Sequence, residues 1–343
     1  MISVDIVDAR RWSKIVETFA DSSYEQSYAP AALAARRTGS DLLPVVVQQD
    51  GTCIGAACIR LKRIPVLNRG IAYIVAGPMV RNVEDSREED RFRNVLKALV
   101  ERFRDRDGHL LRIRLPILHS PNPTVEEVFR TLGFEKTRGG KTYRTVLLDL
   151  SPTEETLRAN LHAKWRNHLN RAEKQDIQLV SGRGSDLIKR FMAVYQHMKT
   201  FKSFSSDVDP GFLLELEHTD FMYDVVIANH DGADVAGHIV CYTPRCATYV
   251  LGATNEKGRA LQAGSYLNWQ AVLCAKARGN LWLDLGGIDK EKNPAGYEFK
   301  VRMGGEERMA IGPFDARAPG LGGIVIQSCE SLFRVQQAVH KRS

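Results

Sequence analysis

Apolar runs alternate with polar punctuation in the same order twice along this chain. Val45 to Ile59 holds a β-branched run, the pair Asp50-Gly51 and a second apolar run. Val226 to Val240 repeats that order without a gap around Asp231-Gly232. An Asp-Gly pair between two β-forming runs predicts a two-residue hairpin, because both central residues of the favoured turn need positive φ. The recurrence predicts a duplicated sheet in which each half opens with the same hairpin.

The agreement continues downstream. Phe92 to Arg106 has the spacing of a basic amphipathic helix and leads into the strand-like run Leu110 to Leu115, while Tyr266 to Arg278 leads likewise into Leu281 to Leu285. Ser265 reads as N-cap and Gly279 as the C′ residue of the second helix. Ser151-Pro152 interrupts the pattern, and Thr153 to Thr156 starts a helix with acids in its first turn. The chain therefore divides near residue 150, into domains over 1–150 and 151–321. Helical spacing returns from Ile324 to Val339, within a C-terminal helix expected over 322–340. Residues 155–202 are rich in Arg and Lys and read as a basic helical arm suited to phosphates.

Composition agrees with two domains. At 343 residues the chain exceeds the size at which one core keeps growing, and 43% hydrophobic with 26% charged residues is ordinary for a globular protein. No stretch of about 18 apolar residues occurs, and the first residues lack a basic-then-apolar leader, so a cytoplasmic protein without a membrane span is expected. The six cysteines form no CxxC pair and have no His at ligand spacing, which favours buried thiols over a metal site. A net charge of +7 admits a polyanionic partner such as tRNA.

Nucleophile-elbow, zinc-protease, Walker and dinucleotide motifs are all missing, which removes the common hydrolase and dehydrogenase readings. The concentration of chemistry lies after Tyr249. Trp282 to Ile288 is a strand ending in Gly286-Gly287, which would let backbone approach a ligand and expose amides. Gly264-Ser265 at a helix start offers an anion site. Lys300 follows Phe299 in a segment read as strand-like, which would put Arg302 on the same face as Lys300. Two cations on one face suit negative charge on a substrate or in a tetrahedral transition state.

These residues resemble the FemAB-like peptidyltransferases. The resemblance rests on Tyr249 to Thr254, the helix ending at Ala277-Arg278-Gly279, Trp282 to Asp289, Gly296 to Gly305 and the basic segment Trp165 to Lys174. It implies an α/β (α+β) fold of two tandem GNAT-like domains, each a mixed twisted sheet flanked by helices, with the C-terminal helix completing the first. It also implies amide formation: aminoacyl-tRNA donates its amino acid to an amine, a peptidoglycan precursor or a related small molecule, with no metal or redox cofactor. Peripheral association with a lipid-linked substrate would be compatible. The family's Phe-Lys pair falls on Phe299 and Lys300, with Lys300 stabilising the anionic intermediate or steering the tRNA terminus. Tyr249 falls near the acceptor, Lys202 on a ligand for substrate phosphate, and Arg36 or Arg37 on a basic position after Gln26-Ser27. Family members often carry Asp before Pro on the first-half strand. Here Arg114-Leu115-Pro116 stands instead, so no carboxylate base sits there. Asp284, at the corresponding place in the second half, is the candidate that remains, and a solvent path could serve instead.

Two other readings stay open. Single acetyltransferase modules use acyl-CoA, and an acyl-CoA-dependent N-acyltransferase in polysaccharide or small-molecule synthesis is the alternative. Against it, Gln262 occupies the central Gly position of the pyrophosphate loop in Arg259 to Gly264. An RNA-binding protein on an inactive transferase scaffold is the non-enzymatic reading.

Overall fold

The computed structural model describes residues 1–65, 67–81, 88–117, 123–202, 210–320, 323, 325–326 and 328–330. In chain order the first elements are β1 (Ile2–Ile6), α1 (Ala9–Val16), α2 (Tyr28–Arg37), β2 (Asp41–Gln49), β3 (Thr52–Ile64), β4 (Arg69–Val75), α3 (Glu88–Leu99), β5 (Leu110–Arg114), α4 (Pro123–Thr131) and β6 (Phe134–Lys136). There follow β7 (Arg144–Asp149), α5 (Glu154–Asn160), α6 (Ala163–Ala172), β8 (Gln178–Gly182), α7 (Ser185–Lys202), β9 (Tyr223–His230), β10 (Ala233–Tyr242) and β11 (Cys246–Thr254). The chain ends with α8 (Glu256–Ala260), α9 (Ala263–Ala277), β12 (Trp282–Asp284), α10 (Pro294–Val301), β13 (Glu306–Met309) and β14 (Phe314–Ala316).

Both Asp-Gly pairs form the expected turns. Asp50 and Gly51 have φ of 50° and 81°, Asp231 and Gly232 of 51° and 76°, the doubly positive pattern that matches strand twist. They join β2 to β3 and β9 to β10. Two mixed seven-stranded sheets result. The first has the order β1-β2-β3-β4-β5-β14-β6, the second β8-β9-β10-β11-β12-β7-β13. Position by position the orders correspond, and in each only the fourth and fifth strands pair in parallel.

One strand of each sheet comes from the far side of the sequence division. β7 follows β6 in the chain but pairs with β12 and β13, and β14 follows β13 but pairs with β5 and β6. The two units are therefore Met1–Thr142 with the chain from Ala310, and Tyr143–Met309. The break at Ser151-Pro152 marks the start of α5, which Thr153 caps by accepting from Thr156 N. It does not mark the division at 150. Nor does the second unit extend to 321, because β14 belongs to the first sheet.

In the first unit, Ile59, Ile74, Leu111 and Ile113 point to one face of the sheet and pack with Phe92, Leu96, Leu99 and Phe103 of α3 and its π-helical extension Val100–Arg106. The alternate residues Val46, Ala56 and Cys58 face the other way, against Trp12, Val16 and Phe19. In the second unit, Trp165 and Leu169 of α6 join Val146, Leu148, Trp269 and Leu283. The basic stretch 155–202 is thus folded into the unit as α5, α6, β8 and α7 and is not one helical arm. Its cations are partly committed: Arg158 forks onto Glu173 at 2.5 and 2.7 Å, and Arg190 onto Asp234 at 2.7 and 2.9 Å. The helix expected over 322–340 lies largely outside the described residues. Of those described, Ile326 is buried and Glu330 bonds to Arg112 at 2.7 Å. Among the cysteines Cys58, Cys241 and Cys246 are buried, whereas Cys274 is exposed. No described helix is long and apolar enough to cross a membrane.

Candidate active site

The second unit opens where its parallel strands part. β11 and β12 pair only through Cys246↔Trp282, Ala247↔Leu283 and Thr248↔Asp284. Beyond that β11 runs on to Thr254, while the chain after Asp284 follows β7 instead, with Leu285 N donating to Val146 O at 3.0 Å and Ile288 N to Arg144 O at 2.9 Å. In the first unit the equivalent strands stay together from Ile71↔Leu110 to Val75↔Arg114, and Gly77 N extends the pairing to Arg114 O at 3.1 Å.

Asp284 fixes the divergence. Its carboxylate is 4% exposed and accepts from Gly286 N at 2.8 Å, from Tyr143 Oη at 3.1 and 3.2 Å, and from Thr145 Oγ1. The Thr145 hydroxyl also meets Gly286 O at 2.9 Å. Gly286 has a φ of 75°, and a Cβ there would run into the Tyr249 carbonyl oxygen, so only glycine fits the turn. Burial raises the pKa of Asp284, opposed by the Thr145, Gly286 and Tyr143 hydrogen bonds and the charge of Lys300.

Lys300 approaches from α10. Asn293 caps that helix by accepting from Gly296 N at 3.0 Å, and Pro294 occupies its first turn, where a missing N–H costs nothing. Lys300 Nζ donates to Gly287 O at 2.9 Å and lies 5.5 Å from the centroid of the Tyr249 ring. Burial pulls its pKa down to about 8, with the negative Asp284 opposing the fall. Behind the cation, the Tyr249 hydroxyl hydrogen-bonds Asn268, and burial pushes its pKa up to about 12. Asn268 Nδ2 is held on Gly264 O at 2.9 Å. Gly252 leaves room for that hydroxyl, since a Cβ there would coincide with it. His238 meets the Tyr249 ring edge-on at 5.8 Å and is kept neutral by burial, its pKa lowered to about 3.

Of the residues singled out in the sequence, Lys300, Asp284, Tyr249, Gly286 and Gly287 come together here. Phe299 turns inward and packs on Trp165 at 5.7 Å between ring centroids. The segment around Lys300 is helical rather than strand-like, because the Asn-Pro cap starts a helix. Two helical positions lie on different sides, and Arg302 pairs with Glu298 at 2.7 Å instead of joining Lys300. Arg36 is an exposed residue in the last turn of α2, in the first unit. Lys202 ends α7, and its side chain lies outside the described residues. The start of α9 is also corrected: Gln262, with φ of 58°, is its N-cap, and Ser265 is buried one turn inside, its N–H donating to Gln262 O. Tyr143, Thr145, Asn268 and His238 escape sequence reading. The first two lie on the exchanged strand β7 or just before it, and the others look like ordinary members of an apolar helix and strand.

The fold is that of two GNAT-like units in tandem. Residues 159–301 match the profile of the family described as Acetyltransferase (GNAT) domain, a match that contains Lys300, Asp284 and Tyr249 but stops short of β7. Among solved structures, FemX superposes with a TM-score of 0.79 at 15% identity, over 96% of this chain and 99% of that one. L-PGS from Bacillus licheniformis gives 0.52 at 14% identity over 92% and 94%, and a tandem GNAT protein from the clavulanic acid biosynthesis pathway 0.50 at 12% over 93% and 99%. No curated protein sequence matches the chain. The architecture is thus that of tandem GNAT proteins such as FemX.

Proposed function

We propose that the second unit forms an amide bond on an amine acceptor with aminoacyl-tRNA as donor, the acceptor being a peptidoglycan precursor or a related small amine. The observation that carries this reading is the Lys300 ammonium, held by Gly287 O and the Tyr249 ring at the mouth of the parted strands. The acceptor nitrogen attacks the ester carbonyl carbon, and the C–N bond forms as the electron pair moves onto the carbonyl oxygen. Lys300 N–H donates to that oxyanion, a preorganised donor of the kind that lowers such barriers by about 3 kcal/mol. The intermediate collapses by breaking the C–O bond to the ribose, whose oxygen takes the proton lost by the amine. No fixed base is needed. Asp284 is too enclosed to meet substrate and acts by holding the turn and the charge of Lys300.

The loop before α9 favours this donor over acyl-CoA. Gln262 stands at the central Gly position of that loop, and four of its N–H groups are committed internally, Gly258 N to Asn255 Oδ1, Arg259 N to Asn255 O, Leu261 N to Lys257 O, and Gln262 N to Arg259 O, which leaves only the first-turn amides Ala263 N and Gly264 N of α9 to meet an anion. Transfer of radiolabelled amino acid from charged tRNA, run beside labelled acetyl-CoA on a panel of amines, tests the reading. Label is expected to pass from tRNA alone. Transfer from acetyl-CoA alone would overturn the donor assignment.

A further inference from the structure

The first unit carries a second polar centre, on the sheet face opposite its main core. Alternation along the strands puts Arg60, Tyr73, Arg112 and Arg114 on that face, because Ile59, Ile74, Leu111 and Ile113 point into the core. The registers Arg60↔Tyr73 and Tyr73↔Arg112 set them in one row across β3, β4 and β5. Three guanidiniums on one recessed face need partners.

Two have them. Arg112 is gripped by Asp315 at 2.6 and 2.8 Å and by Glu330 at 2.7 and 3.1 Å, so its charge is compensated twice. Arg114 donates to Glu25 at 2.5 Å. Arg60 is different: among the described residues it makes no hydrogen bond, and its guanidinium lies 5.3 Å from the Tyr73 ring centroid. Burial and the neighbouring Arg114 charge lower its pKa, against the pull of Tyr73 and Glu25. The half-buried guanidinium thus keeps its donors open to a ligand, and its planar fork matches an oxyanion.

The surroundings are preorganised. Glu25 and Gln26 belong to the one-turn 3-10 helix Tyr24–Gln26. The Gln26 side chain donates to Val75 O at 2.5 Å and accepts from Cys58 N at 2.7 Å, filling the gap where β3 and β4 cease to pair. Trp12 Nε1 donates to the Gln26 carbonyl at 2.8 Å. Gln26 thereby fixes the turn that carries Glu25 and sets one carboxylate against two cations.

We propose that Arg60, with Arg114 beside it, is an anion-binding site of the first unit, one that takes the carboxylate or phosphate of a small-molecule ligand. It is independent of the identity of the acyl donor. The fork of Arg60 binds the oxyanion, Tyr73 orients its plane, and Glu25 limits affinity by competing for the same cations.

Thermal-shift and calorimetric titrations of the whole chain with inorganic phosphate and with succinate, against sodium chloride at matched ionic strength, test this. Saturable binding of one probe beyond the chloride control is expected, and the tighter probe identifies the anion class. Arg60→Gln should weaken that binding at least about tenfold, the usual weight of a charge-assisted bidentate contact, and Arg60→Lys should restore only part. Glu25→Gln removes the competitor and should tighten binding several-fold, a gain that a misfolded variant cannot mimic. Absence of saturable binding in the parent chain, or equal affinity in the parent and both Arg60 and Glu25 variants, overturns the proposal.

Discussion

The same strand position ends in Arg114 in one unit and in Asp284 in the other, and around that reversal of charge the two sheets diverge. In the first unit the parallel pair stays zipped past its last residue, Arg114 is neutralised by Glu25, and Arg112 is locked between Asp315 and Glu330. In the second, Asp284 draws Gly286 N, Thr145 and Tyr143 to itself, the strands part, and Lys300 faces the opening. One repeat shows arginines held by carboxylates, the other a lysine beside a carboxylate it does not touch. Duplication thus preserved the scaffold, and the residue ending one strand separates a closed sheet from an open one.

The comparison breaks most sharply at Lys300. Lys300→Met should lower single-turnover transfer by two to three orders of magnitude, about 3–4 kcal/mol of barrier, while acceptor affinity stays within a few-fold. Equal losses in rate and affinity would make Lys300 a binding residue only. Arg112→Met takes the cation away from buried Asp315 and from the half-buried Glu330. Urea unfolding should show the first unit destabilised by about 3 kcal/mol, and an unchanged midpoint would refute the clasp. Gly286→Ala forces a Cβ into a left-handed turn against the Tyr249 carbonyl and should cost about 2 kcal/mol, read as a lower Tm together with reduced transfer. The smallest effect is expected for Asp284→Asn. Its negative charge raises the pKa of Lys300, so removing it should move the alkaline loss of activity to lower pH than in the parent.

Much of this contrast is legible in the amino-acid order alone. The Asp-Gly hairpins, the helix-strand order after them and the cluster from Trp282 to Gly305 follow from local chemistry that acts over a few residues. What is not legible is non-local. Nothing in the run Arg144 to Asp149 says that it crosses into the other sheet, so Thr145 and Tyr143 carry no mark as partners of Asp284, and the Ser151-Pro152 break lies beyond the true division. Lys300 and Arg302 share a face only on a strand, and the Asn293-Pro294 start makes the segment a helix. Arg60 carries no signal at all, since a lone Arg in an alternating strand becomes unusual only once its neighbours prove to be taken.

The central claim is that a protonated Lys300 at the open strands stabilises the oxyanion. The pH dependence of single-turnover transfer, measured with an acceptor amine that titrates well below neutrality, tests it most directly. Because burial lowers the Lys300 pKa, the active ammonium is present below about 8 and lost as pH rises through it. The rate should therefore fall with a midpoint near pH 8 in the parent chain. In Lys300→Arg, which stays charged, that fall should shift far to alkaline pH. A rate that climbs through pH 8, or the same alkaline midpoint in the Arg variant, would contradict the account.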